Sequence, residues 1–223
     1  MKFFLDTIIK HIECPLCLRC GSIWVQENYF CARCSRDFLQ QHFGILQNKI
    51  NESTEVTSLI KWSKHQSDAL TQLVYLLKTR TSYFAWKKYT DCFEDEISAL
   101  IDAKENTILI PVPGSKKSYH TNYFSENIQN LTGCEQVLAL TKSANLGAQK
   151  LKSLAERKRI AIDVNEDFTA ELLKANNIVL IDDILTTGAT LNGCFNALND
   201  FYFKRGASSK KISALTLFYR PLD

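Results

Sequence analysis

The spacing of apolar positions along the chain changes once, near residue 105. Upstream of it, apolar residues recur at helical intervals. In "SDALTQLVYLLKTR", Leu70, Leu73, Val74, Leu76 and Leu77 share one helical face, and in "SYFAWKKYTDCFEDEISALIDAK" Phe84, Tyr89, Phe93, Ile97 and Leu100 do the same. Phe4, Ile8 and Ile12 predict a short amphipathic helix at the start. Downstream, "TILIPVP", "EQVLAL", "NIVLIDD" and "KISALTLFYR" are short, branched-rich apolar runs, the pattern of buried parallel strands. Between the last two runs, Leu191, Cys194, Phe195, Leu198, Phe201 and Tyr202 line one helical face, and Lys204 and Arg205 precede Gly206 as a helix stop. Strands alternating with helices predict an α/β sheet from about residue 105 onward. The polar stretch Asn51 to Thr54 places a boundary near residue 50, giving two units, residues 1–50 and 51–223.

Composition narrows the class without naming a function. A chain of 223 residues can bury one substantial core and carry a small appended module. Apolar content of 45% and charged content of 23% exclude disordered and fibrous classes. Asp6 and Lys10 interrupt the apolar start, no small-residue cleavage site follows, and no run is long enough to span a bilayer. The expectation is a cytoplasmic protein without membrane insertion. A net charge of +3 is too mild to identify a nucleic-acid binder, but Thr141 to Arg159 carries six Lys or Arg against one Glu. That tract is either a solvated face or a local positive field over a ligand.

Five of the eight cysteines fall between Cys14 and Cys34. Cys14-x2-Cys17, thirteen intervening residues and Cys31-x2-Cys34 form the paired-knuckle spacing that presents four thiolates to zinc. A disulfide framework would suit a secreted chain instead. Cys17-x2-Cys20 followed by Gly21 is an equally good knuckle, so Cys20 competes with Cys14 for the fourth position. Zinc held by four sulfurs has no open coordination position, so its role is structural.

The most informative stretch is "NNIVLIDDILTTGAT". Ligands of open α/β sheets sit beyond the carboxyl ends of the strands, and Asp182 and Asp183 lie where the strand Ile178 to Ile181 runs out. The loop that follows leads into a helix beginning near Thr190, where backbone N–H groups and hydroxyls can surround an anion. Gly188 permits the tight turn. Carboxylates repel a phosphate unless sugar hydroxyls or Mg²⁺ intervene. A ribose phosphate reconciles both halves, with phosphate in the loop and hydroxyls facing the acids. The strand alone is similar to the metal-binding strand of P-loop ATPases, but the chain has no G-x-x-x-x-G-K-[ST].

The stretch strongly resembles the phosphoribosyl pyrophosphate (PRPP) motif of type I phosphoribosyltransferases, and the wider layout resembles the ComF family, whose members join a cysteine-rich zinc module to this transferase domain. The resemblance covers nearly the whole chain. It implies a type I phosphoribosyltransferase-like parallel sheet flanked by helices. Asp182 and Asp183 match the catalytic acidic pair, and Thr186, Thr187, Gly188, Ala189 and Thr190 match the 5-phosphate loop. "IPVPGSKK" matches the strand and pyrophosphate loop, with Gly114, Ser115, Lys116 and Lys117 as donors and charges; an ordinary basic turn reads equally well there. Gln149 to Arg157 is similar to the family's mobile hood loop and coincides with the basic tract. "YHTNYFSEN" replaces the family's R-G-F-N-Q and retains Asn122, and "RKRIAID" lacks the asparagine that usually follows the hood-loop arginine. Both departures bear on turnover more than on ligand binding.

The implied function is a competence protein of natural transformation that binds PRPP with Mg²⁺ and, through its zinc module and basic tract, single-stranded DNA during uptake. The alternatives are an active phosphoribosyltransferase acting on a nitrogenous base or related acceptor, and a docking role toward other DNA-uptake proteins. Tyr119, Tyr123 and Phe124 could stack on bases, though Phe124 reads better as core. His120, alone beside the pyrophosphate loop, reads as an incidental loop residue.

Overall fold

A computed structural model describes residues 16–26, 28–50, 54–62, 68–101, 105–114, 120–142 and 161–221. The four apolar runs are strands, and each pairs in parallel. β3 (Thr107–Pro111) lies between β4 (Glu135–Gln136) and β7 (Asn177–Leu185), and β7 pairs with β8 (Lys211–Tyr219). Of "EQVLAL" only its first two residues join this sheet. Leu140 instead opens β5 (Leu140–Lys142), which pairs antiparallel with β6 (Ile162–Val164) in a separate ribbon.

The sheet does not begin at residue 105. β1 (Phe43–Lys49) and β2 (Glu55–Lys61) extend it to six strands in the order β1-β2-β8-β7-β3-β4, with β2 parallel to β8 and β1 antiparallel to β2. The polar stretch near position 50 falls between these two strands, and the Ile50 N–H donates to the Thr54 carbonyl at the base of the hairpin. Residues 43–49 are thus a strand of the main sheet. α1 (Ala32–His42) runs into β1 with no residue between them.

Both faces of the sheet are covered, as continuous apolar strands require. On one face lie α2 (Asp68–Leu77), α3 (Tyr83–Cys92), α4 (Glu94–Leu100) and α5 (His120–Thr132). The helical pattern read as one run from residue 83 breaks at Phe93, which separates α3 from α4. Leu70, Leu73, Trp86, Tyr89, Phe124 and Ile128 pack here against Val179, Ile181, Leu215 and Leu217. Phe84 and Leu100 are exposed instead. On the other face lie α6 (Thr169–Lys174) and α7 (Ala189–Lys204), whose Leu172, Leu191, Cys194, Leu198 and Tyr202 meet Ile178, Leu180, Ile212 and Ala214. Each buried side chain of this size contributes about 1.5–3 kcal/mol. α7 ends as its sequence predicts, with Gly206 at φ +60° and the Ala207 N–H returning to the Tyr202 carbonyl.

The cysteine-rich segment joins the first of these cores. Cys17, Tyr29, Phe30, Cys34 and Phe38 are buried with the residues of α2 and α3. The Tyr89 hydroxyl donates to the Asn28 carbonyl at 3.2 Å, and the Asn28 amide donates to Ser35 Oγ at 2.6 Å. Within the sheet, Ser58 and Thr216 form a buried hydroxyl pair at 2.7 Å across β2 and β8. Neither is left unpaired in an otherwise apolar layer. The predicted helix of Phe4, Ile8 and Ile12 lies outside the described residues, and among those described no helix is long and apolar enough to cross a membrane.

Candidate functional site

The order of strands locates a crevice before any side chain is considered. After β3 the chain crosses through α5 to β4 on one side; after β7 it crosses through α7 to β8 on the other. β3 and β7 are neighbours, and α5 and α7 cover opposite faces. Their carboxyl ends therefore form a topological switch point, where crossovers diverge and leave room for a ligand. The Val112 N–H donates to the Ile181 carbonyl at 2.8 Å, which carries the pairing to the last residues before Asp182.

Asp182 and Asp183 stand at this opening, and the strand's alternation turns them to different neighbours. Asp182 follows Ile178 and Leu180 on the α7 face. With Thr186, Thr187, Gly188, Ala189 and Thr190 it lines one small pocket, so the structure brings together the first acid and all five residues of the loop. Burial, and then the adjacent Asp183, hold the Asp182 carboxyl well above the usual carboxylate range. Its Oδ1 accepts from the Asp183 N–H at 2.9 Å.

The loop has the shape an anion requires. Gly188 takes φ +71° as the residue preceding α7 and, having no side chain, supplies no cap to that helix. The Ala189 N–H reaches Thr187 Oγ1 at 3.3 Å, while Thr186 and Thr187 are exposed. Beyond that contact, the first turn of this sixteen-residue helix offers oriented amides and a partial positive charge.

Asp183 follows Val179 and Ile181 on the other face, where Lys78 Nζ lies 3.2 Å and His120 Nε2 3.3 Å from its Oδ2. His120 is the buried first residue of α5 rather than an incidental loop residue. Burial lowers its pKa, Asp183 opposes that shift, and Lys78 adds to it. The sequence carried no signal for Lys78, whose place at the end of an apolar helical stretch is ordinary. Phe124 is core, as read, and the Tyr123 hydroxyl donates to the Arg80 carbonyl at 3.0 Å.

Of the second loop, Gly114 is exposed just beyond β3, and Ser115, Lys116, Lys117 and Tyr119 lie outside the described residues. So does residues 143–160, most of the basic tract. The strands on either side of it in the chain, β5 and β6, pair antiparallel.

A second constellation stands in the cysteine-rich segment. The sulfurs of Cys17, Cys20, Cys31 and Cys34 all lie within 4.8 Å of one another. Cys20 thus completes the described cluster, and Cys14 lies outside the described residues. Four thiolates at about 2.3 Å from zinc stand roughly 3.8 Å apart. Cys20 and Cys31 are 3.7 Å apart, so the donor set fits that ion. Burial pushes the Cys17 thiol up, but backbone hydrogen bonds at Cys31, Cys20 and Arg19 outweigh it and bring it to about 7. Burial and then the neighbouring thiols push Cys34 up to about 12. Such crowded sulfurs ionise together only around a cation. Four cysteines near the amino end of this α/β protein could hold a metal ion such as zinc.

No protein-family model matches the chain, and a search of curated protein sequences returned no match.

Proposed function

We propose that the chain is a ComF-like protein whose phosphoribosyltransferase-like domain binds PRPP with Mg²⁺ at the end of β7, and that it serves DNA uptake in the cytoplasm with single-stranded DNA as its second ligand. One observation supports the reading: at the switch point Asp182, the first of two adjacent acids, lines one pocket with the loop and the N-terminus of a helix reached through a glycine at positive φ. An anion alone would use the helix and be repelled by the acids. A ribose phosphate uses both, with its 5-phosphate over Thr186 to Thr190 and its hydroxyls toward Asp182 and Asp183.

When bound with PRPP, Mg²⁺ supplies charge neutralisation for the pyrophosphate. The chain's own part is to hold the sugar in place by donors and acceptors set on rigid elements. β5 and β6 flank the basic residues 143–160 in the chain and pair with each other, which anchors both sides of that tract in one ribbon.

Calorimetric titration of zinc-loaded protein with PRPP and Mg²⁺, repeated with short single-stranded DNA, tests the proposal. Binding is expected in the wild type and is expected to vanish in Asp182→Asn/Asp183→Asn. Unchanged affinity in that double variant overturns the ribose argument. Pyrophosphate release that requires an added acceptor base would add turnover to the reading.

A further inference from the structure

Asp183 is already in contact with two donors before any ligand arrives. Lys78 Nζ and His120 Nε2 converge on the same oxygen, Oδ2, at 3.2 and 3.3 Å. The two contributions differ. The Lys78 side chain is 41% exposed, so its ammonium stays hydrated and brings a full charge. His120 is buried, and Nδ1 has no hydrogen-bond partner. With Nδ1 unpartnered, the ring's proton belongs on Nε2, directed at the carboxylate.

The arrangement is built from the backbone outward. Lys78 follows Leu77, whose carbonyl accepts both Ser82 Oγ and Trp86 Nε1 at 2.8 Å. The Lys78 N–H itself returns to the Tyr75 carbonyl at 3.1 Å. The hydrogen bond from Tyr123 to Arg80 ties the same turn to α5, the helix that begins with His120.

We propose that Lys78 and His120 are positioning residues that compensate and orient Asp183, so that it accepts a sugar hydroxyl directly and is closed to divalent cations. The inference deepens the ribose-phosphate reading and rests on it. A cation bound to Asp183 would have to sit within a few ångströms of the Lys78 ammonium. Repulsion between a divalent ion and that charge costs well over a factor of ten in affinity at such distances. A hydroxyl carries no such penalty, and a charge-assisted hydrogen bond rewards it.

Two measurements separate this proposal from the reading beneath it. Mn²⁺ alone is titrated into zinc-loaded protein and followed by electron paramagnetic resonance. Lys78→Met is expected to bind Mn²⁺ roughly tenfold or more tighter than wild type. The gain should disappear in Lys78→Met/Asp183→Asn, and Lys78→Arg should match wild type. Lys78→Gln repeats the test should the methionine variant fold poorly. Equal Mn²⁺ affinity in wild type and the neutral variants overturns the proposal, whatever ligand the crevice takes.

Ribose 5-phosphate is then compared with 2-deoxyribose 5-phosphate. Wild type should prefer the ribose form roughly tenfold or more, from one hydrogen bond to a charged acceptor. His120→Gln, which keeps a donor near the ring Nε2, should retain that preference, and His120→Leu should lose much of it. Full preference in His120→Leu overturns the part given to His120. If neither sugar phosphate binds wild type, the ribose-phosphate reading falls, and the Mn²⁺ comparison still decides the role of Lys78.

Discussion

Replacing Gly188 by alanine should destabilise the protein through two separable effects. The first is backbone strain, because Gly188 sits at φ +71°, where an L-residue costs about 1–2 kcal/mol. The second is contact: a Cβ built there would lie 3.1 Å from both Cγ1 and Cγ2 of Ile50. Carbon atoms prefer roughly 3.5–4.0 Å, so Ile50 must retreat by a few tenths of an ångström. Ile50 is only half-buried in the β1–β2 turn and can yield, which keeps this part below about 1 kcal/mol. Alanine also restricts the unfolded chain, returning about 0.4–1 kcal/mol. The net expectation is a loss of about 1–2 kcal/mol, which for a chain of this length lowers Tm by about 2–8 °C. Thermal and urea unfolding of Gly188→Ala, Ile50→Ala and the double variant measure it. In the Ile50→Ala background the alanine at 188 should cost only the backbone part. An unchanged Tm for Gly188→Ala would refute the strained turn, and an equal cost in both backgrounds would refute the contact.

Two further outcomes follow from the charged groups. Cys20→Ser should abolish binding of one zinc per chain and destabilise the buried layer around Phe30 and Phe38, whereas Cys14→Ser should keep the metal; metal analysis after gel filtration decides between the two knuckles. Asp182→Asn should stabilise the protein at neutral pH while weakening PRPP binding. The Asp182 carboxyl ionises later in the folded chain than in the unfolded one, so over that interval the native state holds the extra proton. Stability then falls as pH rises from about 4 through the folded pKa, and Asn removes that fall. The variant's advantage should vanish below about pH 4; an advantage that persisted there would disprove the titration.

Much of this architecture is legible in the residues because burial on both faces writes itself into composition. β7 and β8 are unbroken apolar runs, and α7 repeats its apolar face without a gap. β1 and β2 are harder to see. "FGILQNK" is an outer strand of mixed exposure, and the polar stretch after it has the same composition as a linker between domains. The acids and the loop were readable because one stretch of chain holds them all. Lys78, His120 and Asp183 come from three segments that only folding brings together, and no spacing rule reaches across them. The choice between Cys14 and Cys20 was open because both spacings fit a knuckle.

The hairpin that carries Ile50 has one more consequence. β1 is an outermost strand of the sheet, and at the opposite edge β4 pairs over only two residues. Cutting the chain at residue 50 would strip β1 away and bare the main-chain donors and acceptors of β2, a seven-residue strand that holds Val56, Leu59 and Ile60. An open, apolar strand edge is a template for a second copy. Through the strand joined directly to its helix, the cysteine-rich segment therefore also guards the protein against self-association, a duty independent of any ligand it holds.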